Sequence, residues 1–223
     1  MTPGAITSSS VACPGETVAL SGGLTDYRSG LLVIRSRPHG SAWQFKLLTP
    51  NGSGRGSVRG TVVCARVAYQ TFVRTLQSGS SKARLSCPAG YSATTTGWDF
   101  IPPSDAFDGF LGWVIRGIDP GGVVSADDLS ADSHSTGGPL HLYGVCARAN
   151  LRKVTISAQL RTGDRSVTRS CPLGTRAVGT GFSTTGDRAL NAMGVTSTRA
   201  ARWSLFNRGP GRARVKLALV CMS

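Results

Sequence analysis

The sequence predicts an all-β protein of three tandem, disulfide-closed antiparallel β repeats, arranged as a β-sandwich or a pseudo-threefold β-prism. Three observations carry that prediction. A Cys-Pro start recurs with two glycines seven residues apart: CPGETVALSGGL from Cys13, CPAGYSATTTGW from Cys87 and CPLGTRAVGTGF from Cys171. The glycine pairs are Gly15 and Gly22, Gly90 and Gly97, and Gly174 and Gly181; in the first motif the leading glycine comes one residue earlier. Each start is matched by a later cysteine (Cys64, Cys146, Cys221), with a tryptophan between: Trp43, Trp113 and Trp203. Finally, Glu16 is the only glutamate, while Thr, Ser, Val and Gly abound, a bias toward strands and turns. A self-similar period of this kind marks one supersecondary unit used repeatedly.

The elements follow in order. Residues 1–10 are small and polar and read as a flexible lead. The first repeat covers 11–68. Within it ETVALSG (16–22) alternates, LLVIRS (31–36) is β-branched and apolar, and AWQFKLL (42–48) alternates Trp43, Phe45 and Leu47. NGSGRGS (51–57) is a loop and VRGTVVCARV (58–67) the closing strand. The second repeat covers 69–149. It opens with YQTFVRTL and SKARLS, which read as a hairpin about QSGS. The third, 150–223, opens the same way with KVTISAQL and RSVTRS about TGD, and closes with ARVKLALVC (213–221). The second repeat deviates. Trp113 and Cys146 are 33 residues apart, against 21 and 18 for the other two pairs, and the excess is assigned to an acidic, turn-rich insertion at 119–139.

Six cysteines allow fifteen pairings. The repeat favours one, Cys13–Cys64, Cys87–Cys146 and Cys171–Cys221, each closing a loop whose entropy is worth about 4 kcal/mol. No CxxC or HxxxH spacing supports zinc, and a cysteine with a counterpart in every repeat is structural rather than catalytic. Disulfides point to an oxidising destination. The N-terminus lacks the basic and apolar regions of a signal peptide, and no run of 18 apolar residues spells a membrane span. Either the chain is a mature form given a new Met, or it is made in the cytosol and reaches the outside another way; a virus particle released by lysis fits the second case.

The net charge is +14, unevenly divided. Seven of the eleven acids lie between Cys87 and Cys146, where Arg116 is the only cation, so that segment carries −6 and the remainder +20. The charge reads first as solubility with scattered surface arginine; the sharper readings are an anionic partner, or self-association of acidic and basic faces. Nucleic acid is disfavoured, because no dense basic stripe with interleaved aromatics occurs.

The Cys-Pro-x-Gly start, the Gly-aromatic step seven residues on, the central tryptophan, the closing Val-Cys-Ala and the lead-in SGSSKARLSCPAG together resemble β repeats of exported or surface proteins, mainly of actinobacteria or their phages. The resemblance covers about nine-tenths of the chain and implies no defined chemistry. The chain is also faintly similar to the vitelline membrane outer layer proteins. That similarity implies a threefold β-prism, an extracellular location and carbohydrate binding, although repeat length and cysteine layout differ.

The three histidines, His39, His134 and His141, lie in no GxSxG, HExxH or P-loop context. Asp127, Asp128 and Asp132 with His134 do not have EF-hand spacing and read as a solvated acidic loop. The expectation is a non-enzymatic protein with no cofactor and no metal. It decorates or adheres to a larger assembly, a phage virion or a cell envelope, whose protein surface or glycan is the partner. The alternative is an extracellular carbohydrate-binding protein. Trp43, Trp113, Trp203, Asp127, Asp128 and Asp132 are the candidate binding residues. The tryptophans read first as core plugs and second as ligand platforms.

Overall fold

A computed structural model describes residues 6–25, 32–49, 57–76, 82–100, 113–119, 123–128, 139–160, 163–184, 188–207 and 213–223. They form strands and turns, with no helix among the described residues. Around the first disulfide lie β1 (Ile6–Ala12), β2 (Val18–Thr25), β3 (Leu32–His39), β4 (Ala42–Leu48) and β5 (Arg59–Ala65). Next come β6 (Tyr69–Leu76), β7 (Lys82–Arg84), β8 (Ser92–Phe100), β9 (Trp113–Asp119), β10 (Val123–Asp128) and β11 (Leu140–Ala147). The last group is β12 (Leu151–Leu160), β13 (Gly163–Ser170), β14 (Arg176–Thr184), β15 (Arg188–Val195), β16 (Ala200–Asn207) and β17 (Ala213–Met222).

All described pairings are antiparallel and repeat one scheme. The strand before each Cys-Pro pairs with the second strand of a hairpin: β1 with β4, β7 with β10, β13 with β16. The strand after each Cys-Pro pairs with the closing strand: β2 with β5, β8 with β11, β14 with β17. The disulfides join Cys13 to Cys64, Cys87 to Cys146 and Cys171 to Cys221, as the repeat predicts. Each cysteine pair brackets the second of these ladders.

The Cys-Pro turn accounts for the displaced first glycine. In all three turns the proline carbonyl accepts a hydrogen bond from the amide four residues after the cysteine: Pro14 from Thr17 at 3.3 Å, Pro88 from Tyr91 at 3.1 Å and Pro172 from Thr175 at 3.2 Å. Gly90 (φ +79°) and Gly174 (φ +77°) hold the third turn position, as a type II turn requires; Gly15 (φ +55°) holds the second, as in primed turns. One turn length is met by two glycine placements.

Seven residues past each cysteine the ladder bulges, at Leu20, Thr94 and Val178. A bulge adds one residue to one strand and shifts everything beyond it. Counted from the cysteines, Gly97 and Gly181 therefore correspond to Gly23, not to Gly22 as the motif spacing suggested. The bulged strands meet each other: the Thr94 hydroxyl donates to the Leu20 carbonyl at 2.7 Å, and Leu20 and Val178 are buried in one cluster with Ala65, Ala147, Val220 and Met222.

Sheets cross from one unit to the next. β3 pairs with β8 and β9 with β14, giving the six-stranded orders β1-β4-β3-β8-β11-β6 and β12-β17-β14-β9-β10-β7. The third order is split into β13-β16-β15 and β2-β5, yet β15 lies against β2 through one repeated contact. A Cβ on Gly97 would stand 2.5 Å from the Ser36 carbonyl oxygen and 2.9 Å from Arg37 Cα; one on Gly23 would stand 2.5 Å from the Met193 carbonyl oxygen and 2.3 Å from Gly194 Cα.

Two local expectations are corrected. Ile6–Ala12 is a strand along β4, with Val11 turned toward the core that holds Trp43; small polar residues suffice because the strand is an edge with one apolar anchor. Among the described residues the lead-in hairpins form no ladders of their own. β6 pairs with β11 while β7 pairs with β10, and β12 with β17 while β13 pairs with β16, in different sheets. A turn signal reports that the chain reverses. Which edge each strand then joins depends on where its apolar face is covered: Phe72 packs in one core, while Tyr69 and Leu151 reach another.

Candidate functional site

Register separates the three tryptophans. Phe45 pairs with Ser36 and Trp203 with Met193, and each lies opposite the residue four before the opening cysteine. Trp203 thus corresponds to Phe45, and Trp43 to Ala201. In the second unit the same place belongs to Val124, opposite Ile118 and Ala83. Trp113 sits on the preceding strand β9, opposite Asp128. Trp43 is 1% exposed and donates from Nε1 to Ser36 Oγ at 2.9 Å; Trp203 is 0% exposed and donates to the Gly181 carbonyl at 3.0 Å. Burial removes both from any ligand surface and makes them core plugs.

The acidic stretch is also redrawn. Val123–Asp128 is a strand of the repeat, so 119–139 is not an inserted loop throughout; Asp127 pairs with Val114 on β9, and Asp132 lies outside the described residues. The 33-residue gap came from using Trp113 as a landmark. From Val124 to Cys146 is 22 residues, against 19 from Phe45 to Cys64 and 18 from Trp203 to Cys221. The larger excess is upstream. Asp99 and Ile118 are 19 apart, against 11 from Thr25 to Ser36 and 10 from Ser183 to Met193, which places it between β8 and β9.

Two polar arrangements stand out among the described residues. At the junction of β3 and β8, Asp99 is buried at 3% exposure. Its Oδ1 accepts from Arg35 Nε at 2.8 Å, and its Oδ2 lies 3.5 Å from Arg37 Nη1. Arg37 also donates to the Tyr143 hydroxyl at 2.6 Å and to Gln44 Oε1 at 3.4 Å, with its guanidinium 5.2 Å from the Tyr143 ring centre. Two guanidinium groups around one carboxylate leave one surplus positive charge, but the partners are committed to each other. The cluster is built to hold strands together. Sequence reading missed it because Asp99 and Arg35 belong to different repeats; an aspartate in an otherwise apolar strand end, DF after GW, was the one available signal.

The second arrangement is an open depression of about 410 Å³ beside the Cys87–Cys146 bridge, lined by Arg84, Ser86, Tyr91 and Lys153 among others. Arg148 lies over the Tyr91 ring at 5.6 Å. Cations around an aromatic face suit an anion or a sugar ring. No cluster of three or more His, Cys, Asp or Glu side chains that could hold a metal occurs among the described residues.

No protein-family model matches the chain, and no curated protein matches it. The fold is all-β with three intramolecular disulfides, which fit an oxidising, extracellular setting. No described helix is long and apolar enough to cross a membrane.

Proposed function

We propose that this protein is a non-enzymatic surface protein that decorates a larger assembly, a phage virion or a cell envelope, and attaches through charge and strand edges. The observation that carries the reading is the division of charge into a −6 segment between Cys87 and Cys146 and a +20 remainder. Part of each charge lies on one sheet, whose other end, β7, carries Lys82 and Arg84. Exposed Arg152 and Lys153 on β12, with Arg214 and Lys216 on β17, lie at one end of the order β12-β17-β14-β9-β10-β7, whereas Asp119, Asp127 and Asp128 belong to β9 and β10. Opposite potentials on one body orient a docking protein more than they add affinity. The cyclic use of strands, β3 to β8, β9 to β14 and the Gly23–Gly194 approach of β15 to β2, supports a three-faced β-prism as the frame.

The test is recovery of the protein from its native source. It should co-sediment with the particle or envelope at about 50 mM salt and be released toward 1 M, where the Debye length falls to about 3 Å. Recovery as a free monomer at low salt overturns the reading. Carbohydrate binding keeps one specific support, the Tyr91 depression with its cations. Salt-insensitive glycan binding lost in Tyr91→Ala would favour it.

A further inference from the structure

The depression between the second Cys-Pro turn and β12 is lined by side chains that the repeat does not require there. Arg84, Ser86, Tyr91 and Ser92 come from the turn and its flanks, and Leu151 and Lys153 from β12. Counted from the opening cysteines, Arg84 stands where the other units have Ser10 and Thr168, and Tyr91 where they have Thr17 and Thr175. By register Lys153 stands where β6 has Thr71. Elsewhere the same frame is built from small polar side chains. Packing alone therefore does not call for two cations and an aromatic ring around one hollow.

The turn shows what the exchange gives up. The Thr17 and Thr175 hydroxyls donate to the carbonyls of Pro14 and Pro172 at 2.5 and 2.8 Å. Tyr91 closes the same turn through its amide, 3.1 Å from the Pro88 carbonyl, and its half-buried side chain lines the hollow. A second exchange accompanies it. In the first unit Arg66 pairs with Glu16 at 3.5 Å. The second unit has Arg148 in the place of Arg66 and Gly90 in that of Glu16. Without that carboxylate the Arg148 guanidinium lies over the Tyr91 ring. No carboxylate lines the hollow. Lys153 has an interaction of its own, whereas exposed Arg84 is in no ion pair among the described residues. The anion is therefore assigned to Arg84.

Resting on the carbohydrate reading of this depression, we propose that it binds a uronic-acid unit of an acidic polysaccharide. Arg84 takes the carboxylate, for which a planar guanidinium offers two parallel donors. Tyr91, steadied by Arg148, takes the apolar C–H face of the sugar ring. Ser86 and Ser92 carry hydroxyls that both donate and accept, which suits the hydroxyl edge of that ring. A bare anion would use the cation and leave the aromatic wall and both hydroxyls idle. The volume of about 410 Å³ lies at the small end of ligand sites, room for a sugar unit rather than for a folded partner.

The test is calorimetric titration of the full chain with trimers of glucuronate, galacturonate and mannuronate, each beside its carboxyl-reduced neutral counterpart, and with inorganic phosphate. At about 50 mM salt at least one uronate trimer should bind about tenfold tighter than its neutral counterpart, and the preference should fade toward 1 M. Arg84→Ser should remove most of that preference and spare neutral binding. Tyr91→Thr should weaken both trimers by about tenfold. Both variants take a residue that the repeat itself uses at that position, so their melting should match the parent. Three results overturn the proposal: equal binding of acidic and neutral trimers, a uronate preference untouched by Arg84→Ser, or phosphate that binds as tightly as the trimer. Neutral binding that is lost in Tyr91→Thr, with no acid preference, removes the uronic acid and leaves the carbohydrate reading standing. Binding of no trimer at all removes both.

Discussion

The junctions between units differ in chemistry while sharing a backbone frame. Where β3 meets β8, buried Asp99 faces half-buried Arg35 across the ladder. At the corresponding place between β9 and β14, Ser183 faces Gly117. Where β15 approaches β2 the corresponding residues are Ala192 and Thr25, and the closest approach is backbone to backbone at Gly23 and Gly194. One junction is locked by ions, one by a short ladder beside Phe182 and Ile118, and one by the absence of side chains. A repeated frame therefore constrains shape at each junction without dictating which interaction closes it.

The largest effect that would sharpen this comparison is steric. Gly23→Ala and Gly97→Ala each drive a methyl group into backbone that has no flexible end to move aside. Each should cost about 3 kcal/mol or more in chemical denaturation. A cost below about 1 kcal/mol at Gly23 would mean that β15 and β2 are not held close, and the third junction would lose its defining contact.

Asp99→Ala comes next. It leaves Arg35 and Arg37 facing each other without their carboxylate, and both arginine side chains are about a quarter exposed. That partial solvation reduces the usual penalty for breaking a buried pair, to about 2 kcal/mol. Stability unchanged in this variant would show that backbone pairing alone holds the first junction, and the contrast with the third would vanish.

Arg35→Ala should cost less, about 1 kcal/mol, because Arg37 still neutralises Asp99. Combined with Asp99→Ala it should show a coupling of at least about 1 kcal/mol in a double-mutant cycle. Additive costs would reassign the Asp99 effect to packing. The smallest effect is Ser36→Ala. It leaves the buried Trp43 Nε1 without its acceptor and should lower stability by about 1 kcal/mol, with the tryptophan fluorescence shifted.

Much of the candidate chemistry was not legible in the chain, for reasons that specific residues make plain. Trp43, Trp113 and Trp203 look like one repeated position because each stands between paired cysteines, yet they occupy three different sites. Phe45 and Trp203 fill equivalent core places by volume, and register alone puts Val124 at the same position, which no letter reveals. Asp99 meets Arg35 only because β3 joins a strand of the next unit, 64 residues away.

What the sequence by itself determined is the material that repeats locally: strands from alternation, the Cys-Pro turns from their glycines, and the three disulfides from a period that favours one pairing among fifteen. A turn and a loop-closing bridge depend on residues close in the motif or matched by it, so the chain records them directly. The tertiary structure alone decided which edges pair and where a one-residue bulge moves the register. Those outcomes follow from competition among distant strands for the same apolar faces and the same unpaired amides, and a linear motif carries no term for that competition.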